Sequence, residues 1–233
     1  MKIKLYNSVL LAIFILSGCT ADGGPFHSHD RAYFYRTSGD SHYAEGNYEL
    51  ALSDYNKVIK INPKRHDIYS LRAEIYKEQK KYDLALADYN KAIDFNPVPH
   101  YYRGRGSVYY MKKQYDSAIK EYIKAIRLNN KYAAAYNSLA WLLATCSDHR
   151  YRDGLKAIEF AKKAVDLAPL SPMFDTLAAA YAEAGDFDMA VNSQEKAIQL
   201  LKEKPKLGHL DRYEERLESY KRDIPWTDFN MLH

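Results

Sequence analysis

A pattern of tyrosine, alanine and asparagine residues recurs through most of this 233-residue chain at intervals of 34 and then 33 residues. The first copy runs from Tyr48 through Tyr55 to the pair Asn62-Pro63. The copies are centred on five alanines: Ala51, Ala85, Ala118, Ala157 and Ala190. A period of this length predicts a stack of similar units, because one such unit cannot bury its apolar face alone.

A second position of the repeat is also restricted to small residues: Gly39, Ala73, Gly106, Ala140 and Ala178. A hydrogen atom or methyl group at both positions allows two helices to pack with their backbones close together. The chain has 22 tyrosines, and we assign thirteen of them to packing around this contact: 35, 48, 55, 69, 76, 82, 89, 102, 109, 115, 122, 136 and 181.

These features resemble the tetratricopeptide repeat (TPR), a helix-turn-helix unit of about 34 residues. The resemblance implies an all-α fold, a right-handed α-solenoid of five units with a C-terminal capping helix. We place the solenoid at 32–201, and the capping helix and tail at 202–233. The five units are expected at 32–65, 66–98, 99–131, 132–170 and 171–201.

Two units depart from the pattern. Proline stops the second helix of the first two units, at Pro63 and Pro97. Asn130 stands at that position in the third unit, so we expect a softer boundary there. The fourth unit carries about five additional residues around Cys146, and the role of this insertion stays open.

The first residues predict export. Lys2 and Lys4 precede an apolar run from Val9 to Leu16, which is shorter than the roughly 20 residues of a membrane-spanning helix. The run ends in Leu16-Ser17-Gly18-Cys19, which resembles the lipobox of bacterial lipoproteins.

That resemblance implies a signal peptide at 1–18, acylation of Cys19 and a polar tether at 19–31. Acyl chains such as palmitate would anchor the chain in a membrane. Thr20, which is not an aspartate, implies sorting to the outer membrane, facing the periplasm. The alternative is an ordinary secretory signal with an accidental cysteine.

Composition and charge exclude several function classes. The 34 basic and 30 acidic residues are too evenly balanced for a nucleic-acid binder. Two cysteines exclude a disulfide scaffold. His27 and His29 supply too few fixed ligands for a metal site, and we predict no cofactor.

Catalysis has one candidate pair, a thiol and an imidazole at Cys146 and His149. A catalytic cysteine needs a lowered pKa and an orienting third group, and the sequence offers neither. We therefore predict that the chain is not an enzyme, and keep a thiol-dependent or metal-dependent enzyme as an alternative.

In this family the first helices line a concave groove. The predicted groove residues are Tyr33, Arg36, Asp40, Tyr43, Glu74, Lys77, His100, Arg103, Tyr110, Asn137 and Trp141. Tyrosine, tryptophan and arginine dominate binding hot spots. We expect an adaptor or scaffold that holds a protein or peptide partner, or alternatively a pilotin-like factor for a secretion or pilus channel. Self-association is a further hypothesis.

Overall fold

The computed structural model describes residues 28–203 and 209–227. These residues form eleven α-helices and no β-strand. None of the described helices combines the length and the apolar character needed to cross a bilayer. The helices are α1 (Ser28–Ala44), α2 (Tyr48–Ile61), α3 (His66–Glu78), α4 (Tyr82–Phe95), α5 (Pro99–Met111), α6 (Tyr115–Leu128), α7 (Ala133–Thr145), α8 (Gly154–Leu167), α9 (Ser171–Glu183), α10 (Phe187–Glu203) and α11 (Leu210–Tyr220).

The predicted signal peptide, Cys19, Thr20 and His27 lie outside the described residues. Helix α1 begins at Ser28, inside the segment 19–31 that sequence analysis assigned to the tether. The helix therefore includes the last residues of that segment.

The chain divides into two compact units, residues 1–96 and 97–233. In the first unit α1 packs on α2, α3 on α4, and α2 on α3. In the second unit the pairs are α5 with α6, α7 with α8, and α9 with α10, and α11 packs on α10. The predicted fold class, five helical pairs followed by a capping helix, is confirmed.

The small residues lie where the paired helices meet. All five repeat-defining alanines are completely buried. A Cβ atom added to Gly39 would lie 2.6 Å from the Tyr55 ring, and one added to Gly106 would lie 2.7 Å from the Tyr122 ring. None of the thirteen tyrosines assigned to packing is exposed, so the aromatic residues occupy the space that the small residues leave.

The second helix of the third unit ends as sharply as its counterparts, so the expectation of a softer boundary was wrong. Helix α6 ends at Leu128 and Asn129 is extended, as are Asn62 after α2 and Asn96 after α4. At each end the asparagine N–H donates to a carbonyl four residues earlier. The extended asparagine therefore ends α6 without a proline.

The turn between the first and second helices has one residue in the left-handed region. That residue is glycine in two units, Gly46 with φ 77° and Gly185 with φ 84°, and lysine in two others, Lys80 and Lys113, each with φ 58°. In each turn the next residue donates its N–H to a carbonyl of the first helix, as in the Schellman motif. The two lysines bear the strain of a side chain in this conformation.

We expect Lys80→Gly to stabilise the protein by about 0.5–1 kcal/mol, because glycine removes that strain at the cost of some backbone entropy. Gly46→Ala should destabilise it by about 1 kcal/mol, since no atom lies within 4 Å to clash and only φ is strained. Urea unfolding midpoints measure both effects.

The matched control is Lys81→Gly, because Lys81 has φ −84° and a glycine there brings only an entropic cost. An equal or larger stabilisation by Lys81→Gly would contradict this account of the turn.

Candidate functional site

In the compact unit of residues 1–96, helix α1 carries a tyrosine and an arginine at two of the predicted groove positions. Tyr33 is 64% exposed. Arg36 is half-buried and its Nε lies 3.5 Å from a carboxylate oxygen of Asp40. Such a surface ion pair contributes little to stability, so both side chains are available to a partner at small cost to the fold.

Polar side chains of the first helices accept hydrogen bonds from tyrosines of the second helices. Tyr55 donates its hydroxyl to Asp40 at 2.9 Å. One repeat later Tyr89 donates to Glu74, and Tyr122 donates to Ser107 at 3.4 Å. The donor and acceptor are 15 residues apart in all three units, so the bond is a repeated link between paired helices.

Burial raises the pKa of two of these hydroxyls, those of Tyr55 and Tyr122. The pKa of Tyr122 rises to about 12, and the pKa of Tyr55 is raised by burial and by its bond to Asp40. Both groups therefore stay protonated and remain hydrogen-bond donors at neutral pH.

A second group of predicted residues in the unit of residues 1–96 lies on α1 and α3. Lys77 forms an ion pair with Glu74 and lies 3.7 Å from Glu78. Burial raises the pKa of Tyr43, and the charges of Glu74 and Glu78 raise it further. Tyr43 therefore feels the charge of both carboxylates, which outnumber the single cation Lys77.

In the compact unit of residues 97–233, the predicted residues of α5 contact neighbouring side chains of the same unit. Arg103 donates its Nε–H to the Tyr132 hydroxyl at 3.0 Å. The Tyr110 ring lies 5.7 Å from the Tyr115 ring. His100 is exposed, with its ring edge-on to Tyr101 at 4.0 Å. Arg103 and Tyr110 thus contribute to packing as well as to the surface.

The Trp141 ring contacts an arginine of the capping helix, α11. The Arg216 guanidinium lies 5.7 Å from the Trp141 ring, 4.9 Å from the Tyr213 ring and 5.7 Å from the Trp226 ring. Its Nε donates to Asp175 at 2.7 Å. Trp141 was predicted as a partner contact, and in the structure its ring is part of an intramolecular cation cage.

Asp175 is the anion of this cage. It accepts a second hydrogen bond, at 2.9 Å, from the Gln194 amide. Burial raises the pKa of Asp175, while the charge of Arg216 and these hydrogen bonds oppose the rise. The ion pair is nearly inaccessible to solvent, with exposed side-chain fractions of 5% for Arg216 and 8% for Asp175.

The cage borders an open cleft of about 290 Å³ in the second unit. The cleft is lined by Asn137, Trp141, Pro172, Asp175, Thr176, His209, Arg212, Tyr213 and Arg216. Of the predicted groove residues, only Asn137 and Trp141 line it. Sequence analysis missed the contribution of α11, although Asp175 in the middle of the mostly apolar α9 was a signal for a buried partner.

Cys146 has the surroundings of a structural thiol. Its side chain is completely buried, and burial raises its pKa, which disfavours the reactive thiolate. His149 is exposed in a short 3₁₀ helix, His149–Tyr151. Within residues 28–203 and 209–227, no group of three or more metal-ligating side chains is close enough together to hold an ion.

Comparison with known families identifies the repeat. A model described as TPR repeat matches residues 39–80 and 106–144. Two models described as tetratricopeptide repeat match 66–97 and 172–200. These ranges together span more than half of the chain. The chain is therefore a tetratricopeptide-repeat protein.

Solved structures share this fold. A thermophilic TPR protein in Thermus thermophilus has a TM-score of 0.66 and 21% identity over 80% of this chain and 98% of its own. MamA has a TM-score of 0.56 and 24% identity, over 78% of this chain and 97% of its own. YrrB, described as a TPR protein with an unusual peptide-binding site, has a TM-score of 0.53 and 18% identity, over 78% and 91%.

At these identities the likeness shows the fold alone. A search of curated proteins returned no match.

We expect Arg216→Ala to lower the free energy of unfolding by about 3–5 kcal/mol, because it leaves the Asp175 carboxylate buried without its cation. Denaturant unfolding of the full chain measures this loss. The matched control is Arg212→Ala, one turn earlier on the same helix but exposed, which should change stability by no more than about 0.5 kcal/mol.

The double variant Asp175→Leu/Arg216→Leu removes both charges and should recover most of the loss. Equal stabilities of the two single arginine variants would show that the buried pair does not hold α11 in place.

Proposed function

We propose that this protein is a lipid-anchored adaptor of the bacterial envelope, which binds a protein or peptide partner on the exposed face of its first helices. The observation that carries the proposal is the pair Tyr33 and Arg36 on α1. One is largely exposed and the other forms a weak surface ion pair with Asp40. These residue types form binding hot spots because each buries a large area when a partner covers it.

The fold supports this role, since stacked helical repeats offer extended surfaces for partners. One neighbour of this fold, YrrB, is described as having a peptide-binding site. A factor that assembles a secretion or pilus channel would use the same surface, so the identity of a captured partner distinguishes that alternative from a scaffold.

The anchor rests on the sequence Leu16-Ser17-Gly18-Cys19, which ends a charged and then apolar segment. In this proposal Cys19 carries the lipid, and Thr20 directs the chain to the outer membrane, where it faces the periplasm. The lipid keeps the binding face near the membrane without a spanning helix.

The lipid is tested by metabolic labelling with an alkyne analogue of palmitate in a bacterial host. We expect Cys19→Ala to abolish labelling, because its thiol is the attachment point. Cys146→Ala is the matched control, since it removes the other of the two cysteines, and it should keep the label. Labelling that survives Cys19→Ala would exclude this anchor.

The binding face is tested by capture of a partner from detergent-solubilised envelope extract on the immobilised full chain. We expect Tyr33→Ala/Arg36→Ala to weaken capture by about 30-fold, which corresponds to the loss of a hot spot of about 2 kcal/mol.

The matched control is Leu50→Ala/Lys60→Ala on α2, which also removes an exposed apolar and an exposed basic side chain. Circular dichroism should show both variants folded. Capture that depends on the control pair and not on Tyr33 and Arg36 would rule out the first-helix face of this unit.

A further inference from the structure

The helices of the unit at residues 1–96 have their termini at two opposite ends. Helix α1 packs on α2, and α3 on α4, across short turns at 45–47 and 79–81. The other end therefore holds the starts of α1 and α3 and the last turns of α2 and α4. There Asn96 Nδ2 lies 3.4 Å from His66 Nε2, so α4 ends where α3 begins. The segment that follows Cys19 joins α1 at this end, which we call the anchor end.

Charge is separated between the two ends, although the described residues of this unit include as many acidic as basic side chains. Near the anchor end, the ranges 28–34, 57–69 and 91–96 contain six basic and three acidic residues. At the other end, the ranges 41–50 and 74–86 contain three basic and five acidic residues. The basic residues of the anchor end are Arg31, Lys57, Lys60, Lys64, Arg65 and Lys91, and the acidic ones are Asp30, Asp67 and Asp94.

Two of the six cations are compensated within the unit. Lys57 pairs with Asp54, and Arg65 pairs with Asp67, each at 2.7 Å. The other four are exposed and form no ion pair with a described residue. These four uncompensated cations are Arg31, Lys60, Lys64 and Lys91.

Helix stability does not account for this charge. Arg31 lies in the first turn of α1, where the positive end of the helix dipole disfavours a cation. Lys64 lies in the turn that follows α2, outside the helix. These two cations are therefore better explained by a contact with something outside the chain.

Exposed apolar side chains lie at the same end. Phe95, the last residue of α4, is 44% exposed, and its ring centroid lies 6.1 Å from that of Tyr69. The Tyr69 hydroxyl donates to the carbonyl of Pro63 at 3.1 Å, and Pro63 is exposed. Basic residues beside aromatic ones are typical of surfaces that lie on a bilayer, since the cations reach the phosphates while the apolar groups enter the headgroup region.

The length of chain before α1 keeps this end within reach of a membrane. Nine residue steps separate Cys19 from Ser28, and they span at most about 30 Å. Helix α1 has 17 residues and is about 25 Å long. A lipid on Cys19 would hold the unit near the bilayer without fixing which side faces it. The separated charge supplies that orientation.

We propose that the anchor end of this unit is a docking surface for anionic phospholipid headgroups, with the basic end turned toward the bilayer and the acidic end away from it. The uncompensated cations pair with lipid phosphates, and Phe95 enters the headgroup region. This inference rests on the proposed function, because the lipid on Cys19 brings the chain to the membrane. It adds an orientation and a lipid preference.

The test measures how fast sulfosuccinimidyl acetate acetylates individual lysines of the full chain in vesicles, read by mass spectrometry. Phosphatidylcholine vesicles are compared with vesicles that also contain phosphatidylglycerol. We expect phosphatidylglycerol to slow acetylation of Lys60, Lys64 and Lys91 by about fivefold, as for a single cation held at an anionic surface. High NaCl should restore the rates, because salt screens the attraction. Lys80 and Lys81, at the other end, should react equally in both kinds of vesicle.

A double variant tests whether the cations act together. Lys60→Gln/Lys64→Gln removes two of the four uncompensated cations and should abolish the slower acetylation of Lys91. The matched control is Lys80→Gln/Lys81→Gln, which removes the same charge from the other end and should preserve it. All four substituted lysines are exposed, so circular dichroism should show both variants folded.

Equal rates in the two kinds of vesicle would overturn the inference, as would equal slowing of Lys80 and Lys81 or slowing of Lys91 that survives Lys60→Gln/Lys64→Gln. Slow acetylation of Lys60 and Lys64 in detergent without vesicles would show that a second copy of the chain covers this end, and would also overturn it.

Flotation with phosphatidylcholine vesicles separates this inference from the anchor. A chain that floats with these vesicles but shows equal rates keeps its anchor and lacks the docking surface. A chain that floats only with phosphatidylglycerol has the docking surface without the anchor, and one that floats with neither has neither. Capture through Tyr33 and Arg36 is measured in detergent and is independent of these outcomes.

Discussion

In each helical pair the two helices meet at a residue whose side chain is no larger than a methyl group. The positions of the surrounding side chains follow from that contact. The Tyr55 ring occupies the space that a side chain at Gly39 would need, and its hydroxyl reaches across to Asp40. The same arrangement recurs with Gly106 and Tyr122. Because the second helix is held this close, the first helix presents its polar and aromatic residues on the opposite side, where a partner can reach them.

The fold could be predicted from the sequence because its determinants are local and repeated. A 34-residue interval and an alanine in every copy define where the paired helices meet, and those alanines are all buried in the structure. The prediction for α6 was wrong because it assumed that a proline is needed to end the second helix. Asn129, in the extended conformation of Asn62 and Asn96, ends it equally well.

The candidate site was less predictable, because it depends on contacts outside the repeat. Repeat position placed Trp141 among the partner contacts, and nothing in the pattern indicates that Arg216, far along the chain, covers its ring. Sequence analysis predicted a capping helix in this region, and the structure adds that Arg216 of α11 donates a hydrogen bond to the buried Asp175. Tyr33 and Arg36 were predicted from repeat position, and the structure leaves Tyr33 largely exposed on α1.

The central claim is that a partner binds to the first helices of the repeats and not to the second helices. Site-specific photo-cross-linking in bacteria tests it most directly, with a benzophenone amino acid replacing one exposed residue at a time. Replacement of Tyr33 on α1 should yield one discrete cross-linked protein, whereas replacement of Leu50 on α2 or Leu155 on α8, which are 53% and 78% exposed, should yield none. Cross-links from Leu50 or Leu155 together with none from Tyr33 would contradict the account.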